Sequence, residues 1–328
     1  MVISNFEVMY QRAKELAADV GPKRLTVAQA ADEHVLEAVH DAFRAGLVRA
    51  ILTGRKEEIL PLMRALAMSE EDYRIVDTPD PTQAAREAVR LVSAGEADMI
   101  LKGKAQTSTV LHAVLDKKIG LRARRLLSHV AVYDVPGHPK LLIMSDPGMN
   151  IAPTLQDKIQ IIDNAVVVAH ALGIERPKVA ILSAADTVNP AMLHAVEAAV
   201  LSKMSQRGQI RGCIVDGPLT LDAAVTHEGG DILGSKSDVA GDADILIVNS
   251  IEEGNLLSKS LSMFAHAGFA GLIVGASSPV MVVSRADSRK SKLDSIVLGV
   301  LLSEHLKKVA FSVPPLERIL TSEVKFDS

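Results

Sequence analysis

Apolar positions along the chain fall into two alternating rhythms. Short β-branched runs at 24–28, 48–52, 73–76 and 98–101 are separated by segments with apolar residues three and four apart, as at Val35, Leu36, Val39 and Phe43. The first rhythm predicts buried strands and the second amphipathic helices, here at 32–45, 56–66 and 81–93. Repeated β-α-β units of this length predict a mainly parallel sheet with helices on both faces. The middle of the chain differs: 130–134 and 141–145 are joined through Pro136-Gly137-His138-Pro139, a turn-rich link that predicts an antiparallel hairpin. A long helix at 155–172 follows. Strands at 179–182, 212–215, 244–248 and 272–274 then alternate with helices at 192–204, 252–265 and 292–305.

At 328 residues the chain has room for two domains. No repeat, low-complexity tract or long linker divides it, so a boundary must pass through short crossings. The natural places are near Tyr133 and Ser284. The expected division is a discontinuous first α/β domain, 1–134 plus 284–328, and a second α/β domain, 135–283.

Composition removes several classes of function. With 36 Lys+Arg against 40 Asp+Glu the net charge is −4, which lacks the basic face that nucleic-acid binding needs. Aromatic residues make up 3% and Trp is absent, leaving few platforms for stacked bases. One Cys excludes a disulfide framework and a Cys-based zinc site. The first residues carry Glu7, Arg12, Lys14 and Glu15 without a preceding apolar run, unlike a signal peptide. The longest uncharged stretch, 260–284, holds His266, three glycines and Pro279, and breaks at Ser277-Ser278-Pro279. It predicts a helix end, a buried strand and a loop, where a membrane span needs about 20 predominantly apolar residues. The expectation is a cytoplasmic protein with neither nucleic acid nor membrane as partner.

Four polar segments at strand ends are candidates for chemistry, because ligands of open α/β sheets bind where strands end and helices begin. Lys102-Gly103-Lys104-Ala105-Gln106-Thr107-Ser108 offers a glycine for close approach, two lysines, two hydroxyls and a helix start suited to an anion. A solvated loop with Thr107 or Ser108 as N-cap fits the spacing equally well. The segment 121–128 holds Arg122, Arg124 and Arg125, whose forked donors match phosphate oxygens, or which form a basic surface turn. Asp216-Gly217-Pro218 follows a strand and reads as a turn with Asp216 capping the next helix. Ser284-Arg285-Ala286-Asp287-Ser288 sets a hydroxyl, a guanidinium and a carboxylate beside an apolar segment, where exclusion of water strengthens electrostatics. An ordinary N-cap is again the alternative. Cys213 lies in an apolar strand and reads as buried rather than nucleophilic.

In order, these segments resemble the phosphate acetyltransferase and phosphate butyryltransferase family, and the butyryltransferase branch most. The matching stretches are GLRARRLLSHVAVYDVPG at 120–137, MNIAPTLQDKIQIIDNAV at 149–166 and RGCIVDGPLTLDAAV at 211–225. VAGDADILIV at 239–248, EEGNLLSKSL at 252–261, SRADS at 284–288 and SKLDSI at 291–296 complete the set. The resemblance implies reversible transfer of a short acyl group, butyryl or similar, between coenzyme A and inorganic phosphate, with acetyl as the alternative. It implies two α/β domains around a cleft, like the isocitrate and isopropylmalate dehydrogenases, and a homodimer. No metal or redox cofactor is implied, and CoA is a substrate.

The family mechanism is direct attack in a ternary complex. Carried onto this chain, it makes Arg285 the phosphate clamp and Ser284 the transition-state donor. Asp294 is the expected base and Asp287 the second choice, because the spacer after Ser-Arg is longer here than in acetyltransferases. Lys104, Thr107, Ser108, Arg122 and Arg125 are expected to bind phosphate or CoA. This chain has Gln106-Thr107-Ser108 where acetyltransferases have His-Ser-Thr, and His112 where the family usually has Arg. One phosphate or CoA contact is therefore expected to differ.

Overall fold

The computed structural model describes residues 2–121, 125–232, 237–284 and 287–310, with backbone alone at 230–232 and 309–310. The first half runs α1 (Phe6–Val20), β1 (Lys23–Ala28), α2 (Glu33–Arg44), β2 (Val48–Gly54), α3 (Lys56–Ala65), β3 (Arg74–Asp77), α4 (Pro81–Ser93), β4 (Met99–Lys102) and α5 (Thr107–Val114). Next come β5 (Ser128–Asp134), β6 (Leu142–Ser145), α6 (Leu155–Ala171), β7 (Lys178–Leu182), α7 (Leu193–Gln206) and β8 (Ile214–Leu219). The chain continues through α8 (Leu221–Val225), α9 (His227–Ile232), β9 (Ile245–Ile247), α10 (Ile251–Met263), β10 (Gly268–Val274), β11 (Val280–Met281) and α11 (Arg289–Ala310).

All these strands join one sheet in the order β3-β2-β1-β4-β11-β10-β5-β6-β9-β7-β8. The wing from β3 to β11 is parallel throughout, and so is the wing from β6 to β8. Among the described residues, antiparallel pairings occur only at the centre, between β11 and β10, β10 and β5, and β5 and β6. The mainly parallel sheet and the β5–β6 hairpin are as expected.

Helix starts follow local chemistry. Asp32 and Asp80 accept from first-turn N–H groups of α2 and α4, with Pro81 opening α4, and Thr154 with Asp157 forms a capping box on α6. One face of the sheet carries a continuous apolar core from Leu25 and Val27 through Val130 and Val132 to Val179 and Ile181, covered by α1, α2, α6 and α11. The other face carries two separate cores. One lies under α4 and α5 and includes Ile273; the other lies between Ala131, Tyr133 and the half-buried Leu257 and Leu261 of α10. The seam between them falls on the β10–β5 pair.

Three features depart from the expected elements. The helix α1 is additional, with Phe6, Met9 and Ala13 buried. The loop expected before Ser284 contains β11, which bridges β10 to β4. Asp216 caps no helix: it lies inside β8, where it accepts from Ser202 Oγ at 3.1 Å and Gly217 N–H at 2.8 Å, and Thr220 stands at the N-cap of α8. The strand simply runs on through Gly217 and Pro218 to Leu219.

Candidate active site

Parallel pairing of β4 with β11, Leu101 opposite Met281, brings the segments after these strands out side by side. They carry Lys104 and Ser284. Gly103 N–H donates to Ala28 O and Lys104 N–H to Gln29 O, drawing the first segment against the end of β1. A Cβ on Gly103 would lie 2.3 Å from Gln29 O, so this approach requires glycine. Lys104 lines an open cavity of about 180 Å³ with Gln29, Arg55, Glu58 and Asp80. Thr107 and Ser108 are exposed in the first turn of α5, and neither is its N-cap. Gln106 holds that position without a side-chain cap, so N–H groups of the first turn have no side-chain acceptor there.

Ser284 is exposed, and its N–H donates to Asp287 Oδ2 at 2.7 Å. Asp287 N–H returns to Ser284 O at 3.1 Å. Beneath this turn the buried Lys292 donates its ammonium to the carbonyls of Ser284 and Asp287. The turn is thus closed by the backbone on one side and carried by α11 on the other. Arg285, the expected phosphate clamp, lies outside the described residues, as does Arg122.

On the seam sits a group that the sequence did not single out. His129 projects from β5 towards Phe269, with ring centroids 6.5 Å apart, and its Nε2 is buried without a hydrogen bond among the described residues. The ring fits between two glycines: a Cβ on Gly148 would stand 2.8 Å from Nδ1, and one on Gly271 would stand 2.9 Å from Nε2. Burial lowers its pKa, while the charges of Asp146 and Asp287 oppose that shift. Asp146 is itself held by the N–H groups of Gly148, Met149 and Asn150 and by the Asn150 amide. The run Asp146-Pro147-Gly148 was a legible turn signal. His129 had none, being one of the polar residues of β5 beside Ser128 and Asp134.

The remaining expected residues lie apart from this turn or at its margin. Asp294 is 6% exposed on α11 and pairs with Lys290 Nζ at 2.9 Å. Burial raises its pKa against the pull of Lys290, and Asp134 adds to the rise. Arg125 is exposed before β5, and its charge opposes the burial that pushes the Asp163 carboxyl up to about 6. Cys213 is buried, and burial pushes its thiol up to about 12. No helix among the described residues is long and apolar enough to cross a membrane. No three His, Cys, Asp or Glu side chains among them stand together as metal ligands.

Fold and site define an α/β protein whose adjoining strand ends present cationic, hydroxyl and carboxylate groups. The family model described as Phosphate acetyl/butaryl transferase matches residues 78–300, and the chain belongs to that family. It is 45% identical to the phosphate butyryltransferase of Clostridium beijerinckii over 303 residues, 92% of this chain and 99% of that one. With the phosphate acetyltransferase of Thermotoga maritima it shares 44% identity over 89% of its own length and 99% of the relative. Among solved structures, a branched-chain phosphotransacylase from Enterococcus faecalis V583 superposes with a TM-score of 0.78 at 35% identity, covering 86% of this chain and 99% of that one.

Proposed function

We propose that this chain transfers a short acyl group, butyryl or a branched relative, reversibly between CoA and inorganic phosphate. The observation that carries the reading is the closed Ser284–Asp287 turn emerging beside the Lys104 segment, in a chain so close to named phosphate acyltransferases. A second reading, acetyl transfer, is favoured by the comparable identity to a phosphate acetyltransferase.

In the direction that forms acyl-CoA, the thiol of CoA loses its proton to a carboxylate and its sulfur attacks the acyl carbonyl. The carbonyl carbon then releases phosphate. A base is needed because a free thiol of pKa about 8.5 is mostly protonated at neutral pH. Asp287 takes this role in our reading because it is held on Ser284, whereas Asp294 is engaged with Lys290. Ser284 donates to the developing oxyanion, and Arg285 holds the phosphate. Lys104, Thr107, Ser108, Arg122 and Arg125 bind phosphate or the phosphates of CoA. The chemistry uses no metal or redox cofactor.

The same reading assigns 1–134 plus 284–328 and 135–283 to two lobes around a cleft, in the manner of the isocitrate and isopropylmalate dehydrogenases. On one face of the sheet the core is split, with Ile273 and Val280 packed in the first part and Ala131 and Tyr133 in the second, and on the other face it is continuous. It also takes the protein to be a cytoplasmic homodimer. Leu256, Met263 and Phe264, on one side of α10 and its end, are 72%, 64% and 81% exposed and offer an apolar surface to a second copy.

The test is release of free thiol from acetyl-, propionyl-, butyryl- and isobutyryl-CoA with and without phosphate. Phosphate-dependent release, fastest with the four-carbon substrates, is expected. Fastest release from acetyl-CoA would favour the second reading, and no release from any substrate would overturn both.

A further inference from the structure

Lys292 is 2% exposed, yet among the described residues it forms no ion pair. Buried charges are ordinarily paired, because an isolated one forfeits its hydration without return. Of the other lysines of comparable burial, Lys23 pairs with Glu304 at 2.6 Å and Lys158 with Glu197 at 2.7 Å, while Lys102 donates to the carbonyls of Gly103 and Ala105. Lys292 spends its donors on the main-chain carbonyls of Ser284 and Asp287. Those bonds orient the ammonium without neutralising it.

Its position makes the missing counter-charge costlier. Lys292 belongs to the first turn of α11, where the helix dipole already presents partial positive charge, and that turn contains no acidic residue. Arg289 and Lys290 share the turn, but both are compensated, Arg289 by Asp41 and Glu37 and Lys290 by Asp294. Asp287 sends its carboxylate to the N–H of Ser284 rather than to the ammonium. Among the described residues, then, the buried ammonium beneath the Ser284–Asp287 turn has no ion-pair partner.

We propose that Lys292 is a positioning residue whose counter-charge is the substrate phosphate: it braces the Ser284–Asp287 turn and supplies the positive potential that holds the phosphate above it. This rests on the phosphate-transfer reading given above. The ammonium does not touch the phosphate and acts through the turn and through the low dielectric beneath it, where a fixed charge is weakly screened. Phosphate binding, more than binding of the acyl-CoA, then depends on this side chain.

The test uses the full chain with Lys292→Gln, which keeps a donor for the carbonyls and removes the charge. Two quantities are read: steady-state constants for phosphate and acyl-CoA separately, and the rise in unfolding temperature caused by inorganic phosphate alone. The expected result is a KM for phosphate raised at least about tenfold, equivalent to about 1.4 kcal/mol. The KM for acyl-CoA should stay within about twofold, and the thermal shift by phosphate should be lost. A merely structural lysine would change stability but leave the phosphate KM and the phosphate-induced shift as they were, and that result overturns the proposal. Should the Gln variant fail to fold, Lys292→Arg decides: displacing the charge must raise the phosphate KM alone, and an unchanged value overturns the proposal. Wild-type protein that phosphate does not stabilise would also overturn it. Absence of phosphate-dependent thiol release from stabilised wild-type protein would instead count against the transfer reading.

Discussion

Ser284 and Asp287 hold each other by two reciprocal bonds, Ser284 N–H to Asp287 Oδ2 at 2.7 Å and Asp287 N–H to Ser284 O at 3.1 Å. The hydroxyl-bearing residue and the carboxylate are thereby fixed in one short turn at the end of β11. A carboxylate so placed needs no rearrangement to stay beside the serine during a reaction, and a fixed geometry of this kind accounts for a large part of catalytic advantage.

Asp287→Asn is expected to lower turnover by about 10²–10⁴-fold, the usual contribution of a general base, with the unfolding temperature little changed. Asp294→Asn, which removes the partner of Lys290, should leave turnover within about tenfold, below that range. Steady-state thiol release by both variants checks the assignment, and the reverse order of effects would transfer the role to Asp294.

Gly103→Ala tests the approach of the Lys104 segment to β1. Its Cβ would meet Gln29 O at 2.3 Å and Ala28 O at 2.9 Å, both main-chain atoms unable to swing aside. Overpacking of this kind costs about 1–3 kcal/mol, read as a lower denaturation midpoint in urea. A raised KM for CoA should accompany it, because the loop carrying Lys104 must move.

Cys213→Ala should leave turnover unchanged, since the thiol is buried and held protonated well above neutral pH. In the native wild type, a thiol-specific reagent should label this residue only as fast as the chain opens. Rapid labelling with loss of activity would contradict its structural role.

Acid stability should depend on Asp98, which ties β1 and β4 to the end of α11. Burial alone would raise its carboxyl, but the Arg24 side chain and N–H and the Lys307 ammonium hold it well below the ordinary range. A carboxylate with a depressed folded pKa contributes stability above its unfolded pKa of about 3.9, and that contribution is lost as pH falls towards the folded value. Asp98→Asn should therefore be less stable than wild type at neutral pH, and the gap should narrow below about pH 4. Urea unfolding across pH 2–7, on the scale set by carboxylate pKa values, measures it. A gap constant across that range would remove Asp98 from the role.

Much of the fold was legible because burial imposes period on sequence. Strands enclosed on both faces must be largely apolar, as Met99, Ile100 and Leu101 of β4 are, and helices such as Glu33–Arg44 must bury one stripe, so both print their rhythm on the chain. Caps and turns were legible for a local reason: Asp80-Pro81 and Pro136-Gly137 act through hydrogen bonds and dihedrals within a few residues. Ser284 and the Lys104 segment stood out as polar residues directly after apolar runs.

What the sequence could not decide was which distant segments meet. The two-residue strand Val280–Met281 owes its existence to the neighbouring β10 on one side and, on the other, to β4 from far away in the chain. His129 gains its setting only when Gly148 and Gly271, on separate segments, leave room for its ring. The lack of an ion pair at Lys292 is likewise a fact about neighbours, and a lysine in a helical run reads as solvated until the packing is known. Local propensity and burial period are properties of nearby residues and can be read in line. Coulombic balance and close approach depend on distances between remote ones, which only the folded chain sets.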